Sequence, residues 1–368
     1  MTDRTDAEAV TALAADLVRI DSRSFVSNLP LAERIEAELS GFEIERLDYK
    51  DANGVAKRAL VAHRGGPGGL ALSGHMDTVP DTGWQEDPFS ARVDAQGMMH
   101  GLGTADMKGP VAACIIAAQG LPADMPVTLL ITTDEETTKA GAILIAEQST
   151  LARRAALRGI VVAEPTGLAP IRGHRGTVNF EAVASGSQAH SSTGKGVNAN
   201  LALIPFLEEM RNLHDRLREE ETFRDDGYEP PFPDFNIVID NHGTAINVTV
   251  ARATARMKFR YSRKLDPAPV VQAVQDAAAR AGLALTFNID GSPPELPPEH
   301  PLVAAAEAAT GQKAGTVAFG TDATRLNALA PCVILGPGDI GVAHTPREEV
   351  PVAQLAAAVP LFRTLLRG

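Results

Sequence analysis

The sequence predicts an α/β catalytic domain that carries a smaller α+β domain as an insertion. Three observations carry this expectation. A chain of 368 residues exceeds what one compact core usually holds, so two domains are favoured. In its first half, short apolar runs alternate with helical patterns, the order of a sheet buried on both faces. After Glu164-Pro165-Thr166-Gly167 the texture changes to the order β-α-β-β-α-β, and a Pro-rich stretch beginning at Ser292 then leads back into apolar segments. The expected division is 1–174 and 290–368 for the catalytic domain and 175–289 for the insertion, a ferredoxin-like βαββαβ sandwich.

Taken in order, Val10, Leu13, Leu17 and Val18 recur at helical spacing, which makes Ala7 to Ile20 an amphipathic helix. Leu60 to Ala62, Gly69 to Leu72, Val127 to Thr132 and Ile160 to Ala163 read as short buried strands. Ala105 to Gln119 and Ala140 to Gln148 read as helices. Gly65-Gly66-Pro67-Gly68-Gly69 reads as a hairpin turn, because no helix follows it to complete a phosphate cradle. In the insertion, Gly176 to Ser185 alternates as a strand with one exposed face, and Asn198 to Glu221 is a long charged amphipathic helix. Asp234 to Ile239 and Ala251 to Ser262 are strands, Asp266-Pro267 opens a helix to Arg280, and Leu283 to Ile289 is the closing strand. An Ala-rich helix, a strand at Cys332 to Leu335 and a helix from Val352 finish the chain.

Composition removes several classes of function. Hydrophobic residues at 44% and charged residues at 22% are those of a globular protein, not of a disordered or fibrous one. With 34 Lys plus Arg against 46 Asp plus Glu, the net charge of −12 opposes binding to nucleic acid or to anionic lipid. The opening residues lack the pattern of a signal peptide and no stretch is apolar enough to span a bilayer, so a cytoplasmic protein without membrane partners is expected. Cys114 and Cys332 sit in apolar or small-residue runs and suit buried reduced thiols, so any metal must be held by His and carboxylates.

Five segments place such residues beside strand ends or tight turns: Ser73-Gly-His75-Met-Asp77, Ala105-Asp106-Met-Lys-Gly109, Thr133-Asp-Glu135-Glu136, Ala163-Glu164-Pro-Thr166 and Ala343-His344-Thr-Pro346. Singly, each reads as a solvated loop or a cap. Together they converge on the carboxyl ends of strands, where α/β proteins build their sites. Two imidazoles with three carboxylates are the ligand stock for a pair of zinc-like ions, one carboxylate bridging. Asp77, two residues after His75, can accept the second ring N–H and fix the tautomer, or be a plain turn residue.

At this point the chain resembles a known family, the co-catalytic zinc amidohydrolases and exopeptidases that include acetylornithine deacetylases, succinyl-diaminopimelate desuccinylases, aminoacylases and glutamate carboxypeptidases. The resemblance rests on His75-Met-Asp77-Thr-Val-Pro80 with Trp84 and Asp87-Pro-Phe89, on Gly101-Leu-Gly103-Thr-Ala-Asp106-Met-Lys-Gly109, and on Thr133-Asp-Glu-Glu136 and Glu164-Pro-Thr166, all in the family's order. It spans nearly the whole chain and is nearest to the acetylornithine deacetylase branch. It implies a zinc-exopeptidase-like catalytic domain with an inserted dimerisation or lid domain. It also implies two divalent ions, zinc with cobalt or manganese as substitutes, bridged by Asp106. Glu136 and His344 would complete one site, and His75 and Glu164 the other. Glu135 would then be the general acid/base, and the Asp106–Met107 peptide would be cis.

Leu102 departs from the family, which often has Arg between the two glycines. In the insertion, the resemblance implies that His190 reaches a partner subunit's site and polarises the substrate carbonyl, with a loop histidine as the other reading. Asn247 and Arg260 resemble positions that grip a substrate carboxylate, and Gly320 and Thr321 are further substrate-binding candidates. The remaining histidines are read as structural. The implied activity is hydrolysis of the amide of a small N-acyl amino acid by metal-bound water with Glu135 as base, in a homodimer. The alternatives are a dipeptidase, carboxypeptidase or desuccinylase on the same centre and, from another class, a non-catalytic binding protein. No Gly-x-Ser-x-Gly or His-Glu-x-x-His motif is present to support serine or single-zinc hydrolysis.

Overall fold

The computed structural model describes residues 5–368; residues 1–4, on which the expected lack of a leader partly rests, lie outside it. The chain forms two compact units. The first consists of the chain up to Gly173 together with Pro294–Gly315 and Thr321–Gly368, and the second of His174–Pro293 with Thr316–Gly320. The short stretch Thr316–Gly320 therefore clusters with the second unit, whereas all of 290–368 was expected to belong to the first.

In chain order the strands are β1 (Glu43–Lys50), β2 (Ala56–Arg64), β3 (Leu70–His75), β4 (Arg92–Val93), β5 (Met98–His100), β6 (Val127–Thr132), β7 (Gly159–Val162) and β8 (Ile171–His174). There follow β9 (Gly176–Ser185), β10 (Asp234–Asp240), β11 (Arg252–Tyr261), β12 (Ala284–Ile289), β13 (Gly315–Val317), β14 (Cys332–Ile334) and β15 (Glu349–Pro351). Eight of them make one mixed sheet in the order β1-β2-β6-β3-β7-β14-β8-β13. Its centre is parallel, β6 with β3, β3 with β7 and β7 with β14. Every residue of those four strands is buried, as strands covered on both faces must be.

The helix Asp6–Val18 starts on a capping box, in which Thr5 Oγ1 accepts the Glu8 amide and Glu8 accepts the Thr5 amide. It buries Val10, Leu13, Leu17 and Val18. That stripe and the apolar residues of Lys108–Gln119 and Val352–Arg367 share one core with the central strands.

One local expectation fails. The Gly65–Gly69 segment does turn the chain, but not as a hairpin, because β2 and β3 do not pair: β6 lies between them, antiparallel to β2 and parallel to β3. The central strand slot is taken by the later strand β6, every residue of which is buried, and that burial outweighs the local turn.

The second unit has its own core and a four-stranded sheet in the order β10-β11-β9-β12. The helix Ala199–Glu219 is capped by Asn198, and Ala268–Arg280 by the Asp266 carboxylate, which accepts the Ala268 amide at 2.9 Å. Among the described residues no helix is long and apolar enough to cross a membrane.

Candidate metal centre

The parallel strands bring their C-terminal ends to one edge of the sheet. His75 is the last residue of β3, Asp134-Glu135-Glu136 follow β6, Glu164 follows β7, and His344 lies ten residues beyond β14. Asp106 stands two residues before the helix Lys108–Gln119, and its peptide to Met107 is cis. The structure brings the five expected ligands together as two groups, His75–Asp106–Glu164 and Asp106–Glu136–His344, each with donor atoms within 4.8 Å of one another. Asp106 turns one oxygen to each imidazole: Oδ1 lies 2.9 Å from His75 Nε2 and Oδ2 lies 3.3 Å from His344 Nε2. His344 Nε2 is also 3.0 Å from Glu136 Oε1.

The support around these groups is largely backbone. His75 Nδ1 donates to the Asp77 carbonyl oxygen at 2.9 Å, which leaves Nε2 for the centre. The Asp77 carboxylate was expected to take this role, but its Oδ1 is 3.6 Å from the ring. The carboxylate is turned instead to the amides of Glu135 and Glu136, at 3.1 and 3.2 Å, and to Ser24 Oγ at 3.1 Å. Asp77 thus ties the β3 end to the loop after β6. A second anchor, Glu348, was not singled out in the sequence. Its buried Oε1 accepts the amides of Gly103, Ala105 and Asp106 at 2.9 to 3.0 Å and fixes the segment that presents Asp106. Only its nearness to the His344 motif could have pointed to it.

Three carboxylates crowded out of water cannot all carry charge without counter-ions. Burial and the Asp106 charge push Glu164 well above the ordinary carboxylate range, and burial pushes Glu136 up as well. Burial also opposes ionisation of Asp106, but hydrogen bonds from His344 and His75 hold it below its usual value. His344 is pushed up to about 10 by its bonds to Asp106 and Glu136, and His75 is raised by Asp106 against the effect of burial. The ring protons thus stand where cations would, and nearby Asp77 and Asp322, both buried, add further acid groups with raised pKa. Nitrogen and oxygen donors, a shared carboxylate and a shortage of positive charge fit two divalent cations.

The other expected residues are placed as follows. Glu135 is nearly buried and pairs with Lys139, Oε1 to Nζ 2.6 Å. Thr321 is fully buried, its hydroxyl accepting the Ala323 amide at 3.1 Å. Leu102 is buried, 1% exposed, so an apolar side chain suits the position. His190, Asn247, Arg260 and Gly320 belong to the second unit. There His190 is exposed and its backbone bridges to Val248, while the Ser191 amide donates to the Asn247 carbonyl at 3.0 Å. His190 and Asn247 are therefore neighbours. Arg260 pairs across the strands with Asp234 at 2.5 Å.

Fold and site together define an α/β protein with paired imidazole and carboxylate groups, a candidate metal centre, at the carboxyl edge of its sheet. The chain belongs to the Peptidase family M20/M25/M40, whose model matches residues 71–368. It is 35% identical to an acetylornithine deacetylase of Proteus mirabilis, over 90% of this chain and 87% of the relative. Among solved structures, a dipeptidase of Saccharomyces cerevisiae superposes with a TM-score of 0.77 at 15% identity, over 98% of this chain and 97% of that one. A dinuclear metal-binding peptidase of Bacillus subtilis does so with a TM-score of 0.64 at 19% identity, over 98% and 97%.

Proposed function

We propose that the protein hydrolyses the amide of a small N-acyl amino acid, as the name of the acetylornithine deacetylase relative suggests. The observation that carries this is Asp106 offering one carboxylate oxygen to each half of the paired site, with Glu135 beside it in the same loop as Glu136. His75, Asp106 and Glu164 would hold one divalent ion, and Asp106, Glu136 and His344 the other. Zinc suits these donors best, with cobalt or manganese as substitutes. Such ions, when bound, lower the pKa of water and stabilise negative charge on a carbonyl oxygen.

Glu135 accepts a proton from the attacking water as the new C–O bond forms. It delivers that proton to the nitrogen as the C–N bond breaks, giving a carboxylate and a free amine. Asp77, by binding the Glu135 and Glu136 amides, sets where the base stands relative to the ligands. Neither thiol competes as a nucleophile, since Cys114 and Cys332 are buried and burial raises both thiol pKa values; reduced, buried cysteines also accord with a cytoplasmic setting.

The second unit completes the reading as a dimerisation or lid domain. Val197, Leu201 and Ile204 are exposed at or near the start of Ala199–Glu219, and Ile246, beside Asn247, is fully exposed. Four exposed apolar side chains of this unit are what a homodimer would cover. His190 then polarises the substrate carbonyl of the partner subunit, and Asn247 and Arg260 grip its carboxylate, with Arg260 exchanging or sharing its bond to Asp234. Gly320 and Thr321 would act through the shape of their loop.

A peptide amide would yield to the same chemistry. The acyl amino acid is favoured because the relative at 35% identity bears that activity in its name, whereas the dipeptidase likeness concerns the fold alone. Metal-reconstituted protein assayed against N-acetyl, N-succinyl and N-formyl amino acids and simple dipeptides decides it. Turnover confined to dipeptides overturns the proposal.

A further inference from the structure

The loop between β6 and the helix Ala140–Gln148 has an unusual conformation. The Asp134 carbonyl accepts three amides in succession, those of Thr137, Thr138 and Lys139, at 3.3, 3.0 and 2.6 Å. The Gly141 amide then bonds back to the Thr133 carbonyl at 3.1 Å. The Asp134 side chain is itself buried, receiving the Tyr49 hydroxyl at 2.6 Å and lying 3.1 Å from Lys57 Nζ. So constrained, the chain enters the helix with Lys139 at φ 55° and ψ 27°, the left-handed region that glycine or asparagine would occupy more easily. The turn closed on the Asp134 carbonyl sets Glu135 and Lys139 at i and i+4, and Lys139 Nζ meets Glu135 Oε1 at 2.6 Å with both side chains about nine-tenths shielded.

We infer that Lys139 is a positioning residue for the general base. This rests on the reading of Glu135 given above. A lysine in a disfavoured backbone conformation whose ammonium makes a shielded contact with the acid next to the ligand Glu136 points to a purpose for that contact. Glu135 has free rotamers of its own, and the Asp77 bonds fix only its backbone. The ammonium ion holds one carboxylate oxygen and leaves the other to take the proton from water. Misplacement of a reacting group by an ångström can lower a rate about 100-fold, so the contact acts on turnover and not on substrate affinity.

The test uses the full-length, metal-loaded protein. Lys139→Met keeps a long side chain and the same backbone demand but removes the charge. It should lower kcat between about 10- and 100-fold, with KM changed less than about twofold and with metal content and melting temperature kept. Lys139→Arg should recover most of the loss, and Lys139→Gln serves in place of the Met variant should that one not fold. In the Glu135→Gln background, Lys139→Met should have no further effect on kcat, since there is no longer a base to place. An unchanged kcat in Lys139→Met, a change in KM alone, or the same loss in the Glu135→Gln background would overturn the inference. Full activity in Glu135→Gln by itself would overturn instead the assignment of the base, and the role of Lys139 with it.

Discussion

At the scale of single residues, the centre gives sharp expectations. Asp106 is common to both ligand groups, so Asp106→Ala should weaken both metal sites, while His75→Ala should chiefly empty one. Metal analysis of the purified variants decides this, and full double occupancy in Asp106→Ala would refute the bridge. Glu135→Gln keeps shape but cannot take a proton. Its metals should stay bound while turnover falls by at least about 100-fold. The acid groups also predict how the stripped protein responds to pH. Glu136 and Glu348 are pushed to about 7 by burial, above their ordinary 4.5, so the folded chain keeps protons that the unfolded chain releases. Their stabilisation is complete below about pH 4.5 and is lost as pH rises through about 7. His344, raised from 6.5 to about 10 by Asp106 and Glu136, adds a loss of the same sign at higher pH. Asp106 acts in the opposite sense, but only at acid pH below the ordinary carboxylate range. Chelator-treated protein should therefore melt at a lower temperature at about pH 8.5 than at about pH 5.5, and added divalent ions should shrink the difference. Equal melting temperatures for the stripped protein would contradict the account of crowded carboxylates.

At the scale of elements, the approach of loop to strand end is the sensitive feature. A Cβ on Gly336, just past β14, would meet the Ala163 carbonyl oxygen at 2.2 Å and the Glu164 carbonyl oxygen at 2.6 Å. Gly336→Ala should cost about 1–3 kcal/mol by overpacking and, by displacing Glu164, should weaken the His75 site more than the His344 site. Thermal melts and metal titration check both parts. The same elements show what a sequence reveals. The buried, mostly apolar runs of β6 and β7 and the alternation of β9 were legible because burial alone dictates them, and His75, Glu136 and Glu164 because each stands at or just past the end of such a strand. β1, Glu-Ile-Glu-Arg-Leu-Asp-Tyr-Lys, escaped notice because it is an edge strand whose charged residues face water. The small sheet β15-β5-β4 escaped because its strands are only two or three residues long and β15 pairs with β5 across about 250 positions. Lys139 and Glu348 were invisible for a related reason: each acts through where the backbone turns, and no periodicity records that.

At the scale of the whole molecule, the proposed dimer makes a prediction that needs no further structure. A Glu135→Gln subunit has a sound His190, and a His190→Ala subunit has a sound base. If His190 serves its partner's centre, mixing the two inactive proteins under conditions of verified subunit exchange should restore part of the activity; none should return if it serves its own. A different consequence follows from the order of strands in the main sheet. β14 lies between β7 and β8, yet about 160 residues separate it from them in the chain. As the protein leaves the ribosome, β7 and β8 emerge with an open slot between them, which stays unfilled until the entire inserted unit and the start of the final stretch have been made. His344 comes later still. The nascent chain can therefore complete the second unit early, but neither the sheet nor the second half of the candidate metal centre can close until β14 and then His344 have been made. An active hydrolase is thereby withheld from the incomplete chain by topology alone.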